Sequence, residues 1–335
     1  PTRRSSDLVY NASGLGLPIV MTVANRAIGA PINIWNDHSD SISQRDSGWI
    51  QLFAETNQEA LDLHIQAFKL AEELSLPVMV CMDGFILTHA YERVDIPTQE
   101  QVDAFLPKYE PRQVLDPNDP VSIGAMVGPE AFTEVRYLEH EKQMQALELI
   151  PQIAEEFKAG FDRDSGGLVR GYRLEDAETV IVAMGSVLGT IKDTIDEMRA
   201  NGAKVGALGV ISFRPFPLEA VRAALKNAKR VVVLEKTFAV GIGGILATDV
   251  RTALAGIPHA SYTVVAGLGG RPILKKSLHE MLDKAGRDEL SGLTFLDLDW
   301  KVVNKELERE RQKRRSGPIA ENILRDVNNV AAHGV

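Results

Sequence analysis

The chain has 335 residues, of which 44% are hydrophobic and 25% charged, with a formal net charge of −9; this is the composition of a soluble globular protein long enough for about two or three domains. The acidic balance argues against a nucleic-acid or anionic-membrane partner, because phosphate binding needs a basic surface. One cysteine, Cys81, excludes an internal disulfide and an all-cysteine iron–sulfur or zinc site within the chain and points to a reducing, cytoplasmic compartment; no apolar run approaches the ~18 residues of a membrane span, and no secretory signal is visible.

Residues 1–8 are polar and aperiodic, and the stretch Asn11-Ala12-Ser13-Gly14-Leu15-Gly16 reads as a turn in mid-domain, so the chain is expected to be an N-terminally truncated fragment. Pro18 to Ala24 is an apolar, β-branched run and predicts a buried strand. It runs straight into Arg26, a lone guanidinium at a strand end, where parallel sheets place ligand chemistry. Arginine is the side chain best shaped to grip a carboxylate with two parallel hydrogen bonds. Ile32 to Trp35 predicts a second strand, ending in Asn36-Asp37-His38-Ser39-Asp40. Ile50 to Leu74 carries a helical stripe of Leu52, Phe53, Leu61, Ile65, Phe68 and Leu70, stopped by Pro77. Val78 to Met82 predicts a third strand, followed by Asp83-Gly84-Phe85. Strand, helix, strand is the signature of a parallel sheet.

Six prolines between 95 and 135 predict an extended, irregular crossing segment, and Glu139 to Phe161 a connecting helix. A second unit follows. Strands are predicted at Thr179–Ala183, Lys204–Phe213, Arg230–Leu234 and Ala260–Ala266. Helices are predicted at Leu188–Asn201, Leu218–Ala228, Gly244–Leu254 and Ile273–Ala285. The alternation describes an open α/β domain. Glu306 to Arg315 is a dense charge run, read as a solvated helix face.

Three glycine-rich turns join strands to helices in the second unit: Met184-Gly185-Ser186-Val187-Leu188-Gly189, Gly241-Ile242-Gly243-Gly244 and Gly267-Leu268-Gly269-Gly270-Arg271. Free amides at such turns could hold an anion. None matches a Walker loop or the dinucleotide fingerprint, so tight-turn geometry is the alternative role. His38, flanked by Asp37 and Asp40, fits either an acid–base group or a loop cap. His89 would share a sheet edge with Arg26. Cys81 falls within a predicted buried strand and reads as inert.

Taken together, Val23-Ala24-Asn25-Arg26-Ala27, Asn33-Ile34-Trp35-Asn36-Asp37-His38-Ser39-Asp40 and Asp83-Gly84-Phe85-Ile86-Leu87-Thr88-His89 resemble the 2-oxoacid:ferredoxin oxidoreductases, specifically the alpha subunits of those acting on pyruvate. Phe213-Arg214-Pro215-Phe216-Pro217 and the glycine turns extend the resemblance over roughly residues 9–290. It implies an α/β fold: a truncated thiamine-diphosphate pyrimidine-binding-like domain followed by a transketolase-C-terminal-like open α/β domain. The expected division is a non-matching segment 1–8, the pyrimidine-binding-like unit 9–170 with the crossing segment and connecting helix, the second unit 171–290, and a charged helical tail 291–335.

The resemblance further implies an enzyme active only in complex. It would decarboxylate pyruvate oxidatively to acetyl-CoA, or run the reverse, using thiamine diphosphate, coenzyme A and ferredoxin. Thiamine diphosphate and magnesium are held mainly by the beta subunit, and the iron–sulfur clusters lie in partner subunits; beta, gamma and delta chains are the implied partners. Arg26 stands at the position that binds the substrate carboxylate, and Ile34 at an apolar pocket position. The family's substrate-contacting threonine and its activating glutamate fall upstream of residue 9, so no catalytic residue and no metal ligand are expected in this chain. The alternatives are a paralogue acting on 2-oxoglutarate or branched 2-oxoacids, and a non-catalytic scaffold subunit in which Arg26 merely pairs an internal carboxylate such as Asp37.

Overall fold

A computed structural model describes residues 2–29, 31–312 and 318–332. In chain order the elements are α1 (Thr2–Gly14), β1 (Val20–Asn25), α2 (Ser39–Ile42), β2 (Ile50–Phe53), α3 (Asn57–Leu74), β3 (Val78–Asp83), α4 (Gln99–Phe105), α5 (Phe132–Phe161), β4 (Val169–Tyr172), β5 (Thr179–Ala183), α6 (Val187–Ala200), β6 (Val205–Val210), β7 (Ser212–Arg214), α7 (Leu218–Leu225), β8 (Arg230–Glu235), α8 (Leu246–Ala253), β9 (Ala260–Val265), α9 (Lys275–Gly286), β10 (Leu293–Phe295), α10 (Trp300–Arg311) and α11 (Ile319–Ala332). They form the expected α/β fold with two sheets. One has the order β1-β3-β2-β7, the other β10-β9-β8-β5-β6-β4. Within them β1, β3 and β2 are parallel, as are β10, β9, β8, β5 and β6; β7 and β4 run antiparallel at one edge of each sheet.

Several expectations need correction. The first residues are not a structureless segment before a turn: α1 runs to Gly14, and its Val9 and Ala12 pack on the core, where the Trp49 indole N–H donates to the Val9 carbonyl at 2.8 Å. Pro1 lies outside the described residues. The strand at 20–25 exists but is an edge strand with Met21 exposed, because only β3 pairs with it. The second predicted strand, 32–35, is a loop. There Trp35 N–H is taken by its own neighbour Asn33 rather than by a ladder, and Ile32 is 89% exposed. The helix predicted from Ile50 begins seven residues later. Ile50–Phe53 is the fully buried β2, and Thr56 caps α3 by accepting the Glu59 N–H at 3.1 Å.

The single strand predicted at 204–213 is two strands in different sheets. Ile211 and Ser212 N–H both turn to the Leu168 carbonyl at 3.0 Å, which breaks the run and sends β7 across to β2. The second sheet gains β4 and β10 at its edges, giving six strands rather than four. Within the crossing segment a Thr98/Gln101 capping box starts α4, and α5 begins at Phe132, ahead of the predicted start. The charge run lies on α10 as far as Arg311; its last residues, 313–315, fall outside the described ones.

The two sheets share one apolar core. Trp49, Phe53, Met79 and Cys81 from the first unit meet Val182, Leu208, Phe213 and Val233 from the second, with the Phe53 and Phe213 rings edge-on at 6.0 Å. Phe53 and Phe213 lie on the neighbouring strands β2 and β7 of one sheet; burying one such ring is worth ~1.5–3 kcal/mol, so the join between the first and second units of the chain is held by packing as well as by polar contacts. Among the described residues no helix is long and apolar enough to cross a membrane.

Candidate functional site

Parallel strands β1 and β3 end in register, Asn25 beside Asp83. Gly84 follows Asp83 because the backbones touch there: a Cβ on it would stand 2.5 Å from the Asn25 carbonyl, and its N–H donates to that oxygen at 3.0 Å. Arg26 leaves β1 at this point and opens a loop that returns at His38.

The loop has no regular structure, and hydrogen bonds shape it. Arg26 N–H donates to Asp40 Oδ2 at 3.0 Å, Ala27 N–H to the Trp35 carbonyl at 3.2 Å and Ile28 N–H to Ser39 Oγ at 3.1 Å. Burial pushes the Asp40 carboxyl above the usual range, against the pull of the Arg26 and Ser41 amides. The Ala27–Trp35 bond brings the chain around Arg26 next to that around Ile34. Both side chains are exposed, Ile34 by 53%. Trp35 and Phe85, also partly exposed, meet edge-on at 6.2 Å. Among the described residues no hydrogen bond or ion pair engages the Arg26 guanidinium. The scaffold alternative placed Asp37 against it. Asp37 instead accepts from Ser39 N–H and Oγ–H and from Gly269 N–H at 3.3 Å.

His38 is buried, and its partner is neither flanking aspartate. Its Nε2 lies 2.5 Å from Asp83 Oδ1, while Asp83 Oδ2 accepts from Lys236 Nζ at 3.0 Å, from Ser186 N–H at 3.0 Å and from Ser186 Oγ–H. Burial alone would raise the Asp83 carboxyl. The charge and hydrogen bond of His38, with Lys236 and Ser186, hold it far below the ordinary carboxylate range. The carboxyl is therefore an ion, saturated by its own chain. This network was missed from sequence, although a charged Glu235-Lys236 pair ending the apolar strand β8 was a usable signal. His89 takes no part in it; it is exposed, stacked near Phe85 at 4.8 Å. Cys81 is fully buried and burial pushes its thiol up, consistent with an inert role.

The glycine turns do bind anions, but internal ones. Gly185, at φ +75°, lets the start of α6 close on Asp83 through Ser186 N–H. Buried Glu235 accepts the Ile245 and Leu246 amides at 2.8 Å and the Ala247 amide at 3.0 Å, capping α8 after the second turn. The third turn gives Gly269 N–H to Asp37. Cavities of about 420 and 450 Å³ open elsewhere, beside Trp49 and Phe216 and beside Lys69 and Phe105; neither is lined by Arg26.

Comparison with known proteins identifies the family. Residues 4–155 match the family model described as pyruvate flavodoxin/ferredoxin oxidoreductase, thiamine diP-bdg, and residues 177–278 match pyruvate:ferredoxin oxidoreductase core domain II. The chain is 47% identical over 303 residues to pyruvate synthase subunit PorA of Methanosarcina barkeri, covering 87% of this chain and 75% of that one. It is 50% identical over 297 residues to the PorA of Methanocaldococcus jannaschii, covering 87% and 76%. Identity to ketoisovalerate oxidoreductase subunit VorA of Pyrococcus horikoshii is 36% over 297 residues, covering 88% and 75%. Among solved structures, a 2-oxoglutarate:ferredoxin oxidoreductase from Magnetococcus marinus shares the fold at a TM-score of 0.54 and 16% identity; the match takes in 83% of this chain and 50% of that one.

Proposed function

The chain belongs to the pyruvate:ferredoxin oxidoreductase family, and from that premise we propose that it is the alpha subunit of a complex that oxidatively decarboxylates pyruvate to acetyl-CoA, or runs the reverse, with ferredoxin as electron partner. The observation that carries the site is Arg26. Its guanidinium follows a strand end with no internal acceptor among the described residues, in a loop where the Ala27–Trp35 hydrogen bond brings the chain next to the exposed apolar residues Ile34 and Trp35. That pairing suits a small carboxylate with a short apolar tail. Arg26 grips the carboxylate through its two-pronged fork, and Ile34 borders the methyl group.

Thiamine diphosphate supplies the nucleophilic carbon and electron sink for this chemistry when bound. The three glycine turns of this chain do not fit its diphosphate, since Asp83, Glu235 and Asp37 already take amides there. We therefore assign the diphosphate and magnesium mainly to a beta subunit and the iron–sulfur clusters to partner chains, with gamma and delta subunits completing the complex and coenzyme A accepting the acetyl group. The units 9–170 and 171–290 divide the work within the chain: the first presents Arg26, the second backs it. The single free cysteine fits a reducing cytoplasm.

The test is the substrate profile of the assembled complex. Ferredoxin reduction is followed with pyruvate, 2-oxoglutarate and 3-methyl-2-oxobutanoate as competing 2-oxoacids, each with coenzyme A. The highest kcat/KM is expected for pyruvate. A preference for either longer acid overturns the pyruvate reading.

A further inference from the structure

We propose that Lys236, in the second unit, is a positioning residue for the 2-oxoacid site: it holds the loop that carries Arg26. The proposal rests on the reading of Arg26 given above. The loop departs from Asn25 and returns at His38. Lys236 is tied to both ends. Its Nζ donates to Asp83, which is the ladder partner of Asn25 and lies against the His38 ring; its carbonyl accepts the His38 N–H at 2.9 Å. Lys236, His38 and Asp83 are all buried, so these contacts act away from water, where charge-assisted hydrogen bonds are strong.

The same unit also supports the middle of the loop. Asn33 Nδ2 donates to the Gly269 carbonyl at 3.1 Å, and Gly269 N–H donates to Asp37. Glycine is needed here for closeness as well as for conformation. At φ +59° a Cβ on Gly269 would meet Asn33 Nδ2 at 2.5 Å, and one on Gly270 would meet the Trp35 Cβ at 2.4 Å. The bonds made inside the loop, Ala27–Trp35 and Ile28–Ser39, fix its shape. Lys236 and the Gly269 turn fix where that shape sits. An ion pair serving only stability would need no such attachment to both ends of one irregular segment.

The experiment uses the complex assembled with its partner subunits. Lys236→Met removes the cation and keeps the stem. If the correctly placed loop falls to about a tenth of its population, KM for pyruvate rises about tenfold. The expected change in kcat is below about threefold, because a productively bound substrate reacts as before. Hydrogen exchange read by mass spectrometry is expected to speed up across 26–38 and to stay unchanged across β8. Asn33→Ala, a milder cut at the half-buried second anchor, is expected to shift KM and loop exchange in the same direction by less, and it keeps the test open if Lys236→Met does not assemble. Unchanged loop exchange in the variant that assembles, or faster exchange with unchanged KM, overturns the proposal. Arg26→Ala separates the two readings. If that variant leaves KM untouched, the carboxylate role of Arg26 falls by itself, and loop exchange alone decides whether Lys236 anchors the loop.

Discussion

Replacing Arg26 by alanine isolates the proposed carboxylate contact, because the structure gives the side chain no other described task. Its backbone N–H donates to Asp40, a bond the substitution leaves in place. The loop is therefore expected to keep its shape and the chain its stability. A charge-assisted hydrogen bond is worth ~1.5–3 kcal/mol, and at about 1.4 kcal/mol per decade this is a rise in KM for pyruvate of roughly 10- to 100-fold. The effect on kcat is expected to be smaller. The carboxylate loses its charge as carbon dioxide departs, so the ion pair stabilises bound substrate at least as much as the transition state. What remains in kcat is the orientation the fork supplies. Arg26→Lys is expected to recover part of the loss, since an ammonium keeps the charge without the planar fork. Steady-state ferredoxin reduction by the assembled complex measures both constants. A large fall in kcat at unchanged KM refutes the carboxylate anchor and points to a role at the cofactor.

Three further outcomes are expected. The purified chain alone is expected not to reduce a viologen dye with pyruvate and coenzyme A, since one buried cysteine cannot hold a cluster; turnover without partners contradicts the division of labour. Glu235→Ala orphans three amides at the start of α8 and is expected to lower stability by ~1–3 kcal/mol, with Glu235→Gln losing less; equal urea midpoints for all three proteins would remove the cap from the account. Asp83 has a depressed folded pKa, so its stabilising contribution is complete above the ordinary aspartate value of 3.8 and is lost as pH falls through and below it. The stability gap between the native chain and Asp83→Asn is accordingly expected to shrink from pH 5 to pH 3, and a gap that stays constant denies the carboxylate its ionic role.

The parts of this fold legible in sequence are those where one periodicity governs. The second unit reads well because β5 and β8 hold uninterrupted apolar runs, Val180–Ala183 and Val231–Leu234, and α6 and α9 present a clean stripe. Errors arise where two elements meet without a break in apolar character. Leu52 and Phe53 join the stripe of α3 by accident of spacing, although only Asn57 onward is helical. Ile211 and Ser212 continue the pattern of β6 while their amides turn away to Leu168. Trp35 and Ile34 look like strand residues by type, yet they lie exposed on a loop. Arg26 stands out in the sequence because a lone cation after an apolar strand is unusual. The Asp83–His38–Lys236 network was not legible, because its members come from two strand ends and a loop brought together only by the joining of two sheets.

The same network shows why a chain with three glycine turns at helix starts need not itself bind phosphate. A helix N-terminus offers unpaired amides and a favourable field to any anion. Here Asp83 reaches the start of α6 from the neighbouring sheet, Glu235 folds back over α8, and Asp37 reaches Gly269 from the loop. Each carboxylate takes the position an external phosphate would need. Two of the three, Asp83 and Asp37, come from the first unit and close on turns of the second. Those two turns thus act as sockets that dock one unit on the other and set the Arg26 loop between them. A ligand phosphate entering one of these two sockets would have to displace a buried carboxylate and loosen the loop that presents Arg26. The turn geometry that suggests a cofactor site in the sequence therefore works in this fold as internal wiring.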